Sequence, residues 1–202
     1  MTETEPSPEL EQDRAAFRAL RTGVLVTEQA ARAVKFVFDP RTGHLVLTLP
    51  AAALREGQAV LSAPDEADDA FQALVRLDET DESGHGPAID RWRAAHGEPR
   101  GELFISAEVE AVKRPGEVHD GERFCEANML LDDEPRLLRE LNADREALAR
   151  ATGDEALAVG VDQFGLDIRL AFGVKRLQFP ERASDASHAR QMITDALSGA
   201  EA

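Results

Sequence analysis

The stretch "GVDQFGLDIRLAFGVKRLQFPE", Gly160 to Glu181, reads as two strands around a glycine-bearing turn, then a third strand stopped by Pro180. Strands are expected over 156–161, 166–170 and 174–179, joined by Asp162-Gln163-Phe164-Gly165 and by Ala171-Phe172-Gly173. Gly165 is expected to take a positive φ in a tight turn, a conformation that costs glycine little. No catalytic side chain stands out in the stretch. Helices are expected on both sides of it. The first begins at Asp133-Glu134-Pro135, turns Leu137, Leu138, Leu141 and Leu148 inward and ends at Gly153. The second, capped by Ser184 or Asp185, has Ala189, Met192, Ile193, Ala196 and Leu197 on one face. The C-terminal part therefore reads αβββα.

Upstream the pattern changes to sheet. Ser7 and Pro8 are an N-cap and a first-turn proline, with Leu10, Phe17 and Leu20 on one helical face and Gly23 as the expected stop. "GVLVT" starts a strand, and strands at 34–38 and 44–49 flank the turn Asp39-Pro40-Arg41-Thr42-Gly43. After a short helical turn, "AAALREG", come "QAVLSAP", a strand at 71–77, the acidic loop "DETDESGHG" and a helix opened by Pro87 that aligns Ile89, Trp92 and His96. "ELFISAEVEAVKR" is the plainest strand, with Leu103, Ile105, Ala107, Val109 and Ala111 expected on one face. This order makes an antiparallel barrel or curled sheet. The charged stretch "RPGEVHDGERFCE" reads as a linker, which places a disordered acidic tail at 1–9, a first domain at 10–119 and a second at 120–202.

Composition narrows the function. Of 202 residues 43% are hydrophobic, enough for a core, and 39 acidic residues against 23 basic ones give a net charge of -16. That charge repels nucleic-acid backbones and anionic membrane surfaces. The polar, acidic N-terminus is unlike a signal peptide, and the single cysteine, Cys125, fits a reducing, cytoplasmic setting.

The helix, three-strand meander and last helix, with "AVGVDQFGLDIRL" and "VKRLQFPE", resemble the C-terminal domain of heme-utilisation proteins. In that family the domain follows a pyridoxamine 5'-phosphate oxidase-like split barrel, and the order of the upstream elements here is similar. The resemblance implies an α+β fold, an FMN-binding-like split β-barrel followed by a small αβββα domain. It also implies a homodimer and a small-molecule ligand. The meander becomes scaffold, with Leu166, Ile168 and Leu170 beneath the last helix.

For a flavin mononucleotide the resemblance points to the second and third strands and the turn that follows: Arg32, Lys35, Thr48 and Arg55. Arginine suits phosphate through its two-pronged donor geometry. The segment between the first two strands is short, "EQAARA", and "LPAAALRE" puts Pro50 and three alanines where hydroxyl and amine donors would stand. The reading is therefore a divergent small-molecule-binding split barrel with a degraded flavin site; the alternative is an FMN- or heme-dependent oxidoreductase. Heme is the weaker cofactor reading, because His44, His85, His96, His119 and His188 carry no motif and "ANMLLDDEPRLLREL" has no histidine. A protein with no cofactor is the third reading. The carboxylate runs at 65–69 and 132–134 lack the spacing of a calcium loop and read as solvated turns or helix starts.

Overall fold

The computed structural model describes residues 7–28, 30–55, 57–64 and 69–199. Most of the acidic tail lies outside that range. Ser7 caps helix α1 (Pro8–Arg18) by accepting a hydrogen bond from the Leu10 amide, so Pro8 and Glu9 are already helical. The helix stops at Ala19 rather than Gly23. Gly23 belongs to β1 (Thr22–Val26), where an added Cβ would sit 2.5 Å from the Ser62 carbonyl oxygen.

Strands β2 (Ala31–Phe38), β3 (Leu45–Leu49), β4 (Gln58–Ala63), β5 (Phe71–Glu79), β6 (Leu103–Arg114) and β7 (Glu117–Asp120) complete an antiparallel sheet in the order β3-β2-β1-β4-β5-β6-β7. Pairing of β3 with β6 closes six strands into a barrel and leaves β7 outside the ring. Side chains alternate as a strand requires: Val34, Phe36 and Phe38 join Leu45, Leu47 and Leu49 inside. Phe17 of α1 enters this core, its ring centroid 5.2–6.2 Å from those of Phe36, Phe38, Phe71 and Phe124. In β6 the expected face holds only to Val109. The pairing shifts from Val75↔Val109 to Leu74↔Ala111, so Glu110 is an extra residue and Val112, not Ala111, is buried.

Helix α2 (Glu82–His96) begins inside the expected acidic loop. Asp81 caps it by accepting from the Ser83 and Gly84 amides, and His85 kinks it ahead of Pro87. Its Ala88, Ile89, Trp92 and Ala95 cover the outer face of the barrel at Val37 and Val46, and Val174 packs on the same cluster. The stretch read as a linker is ordered against the barrel: β7 pairs with β6, and α3 (Gly121–Phe124) inserts Phe124 into the barrel core.

The remainder is a meander, β8 (Leu157–Asp162), β9 (Gly165–Leu170) and β10 (Gly173–Gln178), in the order β10-β9-β8. The expected helix before it is two helices, α4 (Glu134–Ala143) and α5 (Arg145–Thr152). Asp144 leaves helical geometry and caps the second by accepting from the Ala147 amide. Gly153 ends α5 in the left-handed conformation. Asp185 precedes α6 (Ala186–Gly199) and accepts from the Ser187 and His188 amides. Leu137, Leu148, Leu166, Ile168, Ala189 and Ile193 form this second core. The whole is α+β: a closed antiparallel barrel, in the manner of a split barrel, with a small αβββα layer.

Besides the packing of α2, two contacts stand out among those that fasten the layers. Gly43, in the β2–β3 turn with φ +77°, lies so close to residue 126 that an added Cβ would stand 2.3 Å from the Glu126 carbonyl oxygen, and the Asn128 amide donates to the Pro40 carbonyl. The second contact is a buried charge network. Arg176 donates to Asp162 and, at 3.0 Å, to Asp167; Arg18 faces Asp162 at 3.4 Å, and Arg21 pairs with Asp167. Burial alone would raise both carboxyls. The facing guanidiniums, Arg176 and Arg18 for Asp162 and Arg21 and Arg176 for Asp167, hold both well below the usual carboxylate range. Burial likewise lowers Arg18 and Arg21, but a guanidinium is basic enough to keep its proton.

Candidate functional site

A cleft of about 1140 Å³ opens where the end of α1, the outer face of β2, the end of α2, the start of α5 and the β9–β10 turn meet. It is roomy enough for a cofactor-sized molecule. Arg21, Lys35, Arg145 and Arg169 line it, with Asp154 and Glu155 as its acids. Arg21 is held by Asp167, and Arg169 donates to the Ala94 carbonyl at 3.0 Å. No ion pair among the described residues engages Lys35 or Arg145, and both are exposed. In a chain of charge -16, this is a local excess of cations.

His96 lines the same cleft. Burial pushes its ring down to about 4, so it is neutral at physiological pH. Its Nε2 lies 3.2 Å from the Phe36 carbonyl oxygen, which places the proton on that nitrogen and leaves Nδ1 a lone pair. Trp92 packs beside the ring with centroids 5.1 Å apart. Across the cleft the β9–β10 turn presents Phe172 fully exposed, an apolar lip on a charged opening.

The four residues expected at a flavin phosphate are placed as follows. Arg32 and Lys35 differ by an odd number of residues on one strand. Arg32 shares the parity of the barrel core and borders a hollow of about 40 Å³ beside Leu25 and Leu49, whereas Lys35 faces outward into the large cleft. Thr48 is buried and donates its hydroxyl to Glu102 Oε2 at 2.5 Å. Arg55 ends the 3-10 helix Ala51–Arg55, and its side chain is outside the described part. Of the three whose side chains are described, Lys35 alone lines the cleft.

The other histidines have local partners. His44 Nδ1 accepts from the Val109 amide, and His85 Nδ1 lies 2.6 Å from Thr80 Oγ1. His188 pairs with Glu181, and His119 faces Asp13 and Glu117. Cys125 is packed against the barrel core, and burial pushes its thiol up to about 12, which keeps it protonated at physiological pH. Reading the sequence missed Arg21, Arg145, Arg169 and Phe172 as cleft residues; they come from three distant segments, and no local pattern joins them.

A closed antiparallel barrel with a small αβββα layer and a cationic cleft where the two meet defines a class of fold rather than a chemistry. No family model matches the chain, and no curated protein does. Among solved structures, a protein of unknown function from Agrobacterium tumefaciens str. C58 is similar over 98% of this chain and 100% of its own, with a TM-score of 0.68 at 17% identity. A heme binding protein from Mycobacterium smegmatis aligns over 98% of this chain and 99% of its own, with a TM-score of 0.44 at 20% identity. The first likeness is one of fold; the second is too loose to add to it.

Proposed function

We propose that this chain is a small-molecule-binding split-barrel protein, related to pyridoxamine 5'-phosphate oxidase-like proteins of the heme-utilisation type, and that it holds an anionic, partly apolar ligand in the cleft. The observation that carries the reading is the pair of unpaired cations, Lys35 and Arg145, beside Arg169 and the exposed Phe172. A carboxylate or phosphate would meet Lys35 and Arg145, and an apolar body would lie against Phe172. Hydrogen bonds to a charged partner contribute about 1.5–3 kcal/mol each.

In this reading the flavin site is degraded. The opposite facing of Arg32 and Lys35 supports this, as does the commitment of the Thr48 hydroxyl to a carboxylate that would repel phosphate. Heme is the second reading, favoured by one observation: His96 is a neutral imidazole in the cleft with Nδ1 free to ligate. A homodimer, a cytoplasmic setting and two domains belong to the same proposal, with the division moved from residue 120 to after Cys125. The core position of Phe124 supports the division, and the lone thiol supports the setting. Among the described residues no helix is long and apolar enough to cross a membrane.

Titration with 8-anilinonaphthalene-1-sulfonate, flavin mononucleotide and hemin, followed by fluorescence and absorption, tests the reading. The sulfonate probe should bind saturably and weaken at least tenfold in Lys35→Glu. Hemin with a Soret shift lost in His96→Ala would favour the second reading. Absence of saturable binding by all three would overturn both, and a yellow protein releasing flavin on denaturation would restore the flavin site.

A further inference from the structure

We propose that Asp13, Glu117 and His119 form a binding site for a divalent transition-metal ion, at the junction of α1 with the β6–β7 hairpin and away from the cleft. One ligand atom from each residue lies within 4.8 Å of the others. His119 Nε2 stands 3.0 Å from Asp13 Oδ2 and 3.4 Å from Glu117 Oε2. With metal–ligand bonds of about 2.1 Å, neighbouring donors stand about 3.0 Å apart in an octahedron and about 3.4 Å apart in a tetrahedron. The two imidazole–carboxylate separations thus fall within the range that these two geometries span, and Glu117, half exposed on a short hairpin, is the ligand with room to adjust.

The surroundings favour a cation with open positions. A hollow of about 390 Å³ borders the ligands, lined by Glu9, Gln12, Asp13, Asp69, Arg114 and Glu117, so four carboxylates face one guanidinium. Arg114 bonds Asp13 Oδ1, which fixes the carboxylate and leaves Oδ2 turned to the imidazole. The ring of His119 is held by stacking on Phe124, centroids 5.5 Å apart. The positive charge of Arg114 lowers affinity, yet the hollow keeps an excess of acid. One imidazole and two carboxylates are a donor set for zinc, cobalt or manganese rather than calcium, which takes six to eight oxygens. Asp13 and Glu117 border the hollow, from which water or a small anionic ligand would complete the shell.

The site is tested on the full chain, freed of metal by chelator and titrated with zinc chloride by calorimetry, with cobalt(II) absorption as a second readout. One ion per chain is expected. His119→Ala and Glu117→Gln should each weaken it at least tenfold, while His188→Ala, which removes the imidazole paired with Glu181, should leave it unchanged. Glu117 is exposed at a hairpin end, so its variant remains informative if His119→Ala fails to fold. No saturable zinc binding by the wild type, or equal binding by the Glu117 variant, would overturn the proposal.

Discussion

Arg176 has a side chain almost fully shielded from water and two carboxylates against it, Asp162 and Asp167. Removing one partner from such a cluster leaves buried charge uncompensated, so Arg176→Met should lower stability by about 3–5 kcal/mol, read from urea unfolding at pH 7. The pH dependence has a definite sign. Carboxyls depressed in the folded state contribute stability that is complete above the unfolded value of about 4 and is lost as pH falls through the lower folded values. The deficit of Arg176→Met should therefore shrink in acid, and a deficit independent of pH between 7 and 2 would show that the carboxylates are not its source. Cys125 gives a second residue-scale expectation: the native thiol should react slowly with a thiol reagent at pH 8, and at the rate of free cysteine once the chain is unfolded.

Among elements, the meander turn has a different physics from the one its sequence implies. Gly165 has no positive φ; it is needed because an added Cβ would stand 2.5 Å from the Leu177 carbonyl oxygen of the neighbouring strand. Gly165→Val should cost about 1–3 kcal/mol by overpacking, checked as a lowered thermal midpoint. The strands themselves were legible, because turn residues and alternating apolar positions bound them. The break between α4 and α5 was not: Asp144 sits in an unbroken helical pattern and stops the helix through its own cap, which only the geometry reveals. The flavin cluster also illustrates what strand parity means. Positions 32 and 35 lie on opposite faces of any regular strand, so their separation was present in the sequence. The pairing of Arg18 with Asp162, 144 residues apart, was not, because nothing local marks a charge as destined for burial.

Across the whole molecule, the barrel and the αβββα layer have separate apolar cores, joined by α2 and by the charge network. Since breaking that seam would strand buried ions, the two parts should unfold in one calorimetric transition, with Arg176→Met separating it into two. Two resolved transitions in the wild type would mean that the seam couples them weakly. The proposed homodimer would appear in light scattering at micromolar concentration as twice the 22.0 kDa chain mass.

The close approach of Gly43 to the backbone of Glu126 matters to anyone who would splice a foreign peptide into this scaffold. A hairpin turn is ordinarily the first place to try, since its tip is free. Here the tip is a socket for the chain that leaves the barrel, and a guest peptide between Arg41 and Gly43 would expel that chain from its seat. The open ground lies at Gly101, where an added Cβ meets nothing within 4 Å, so an inserted epitope should be displayed there with the host fold intact.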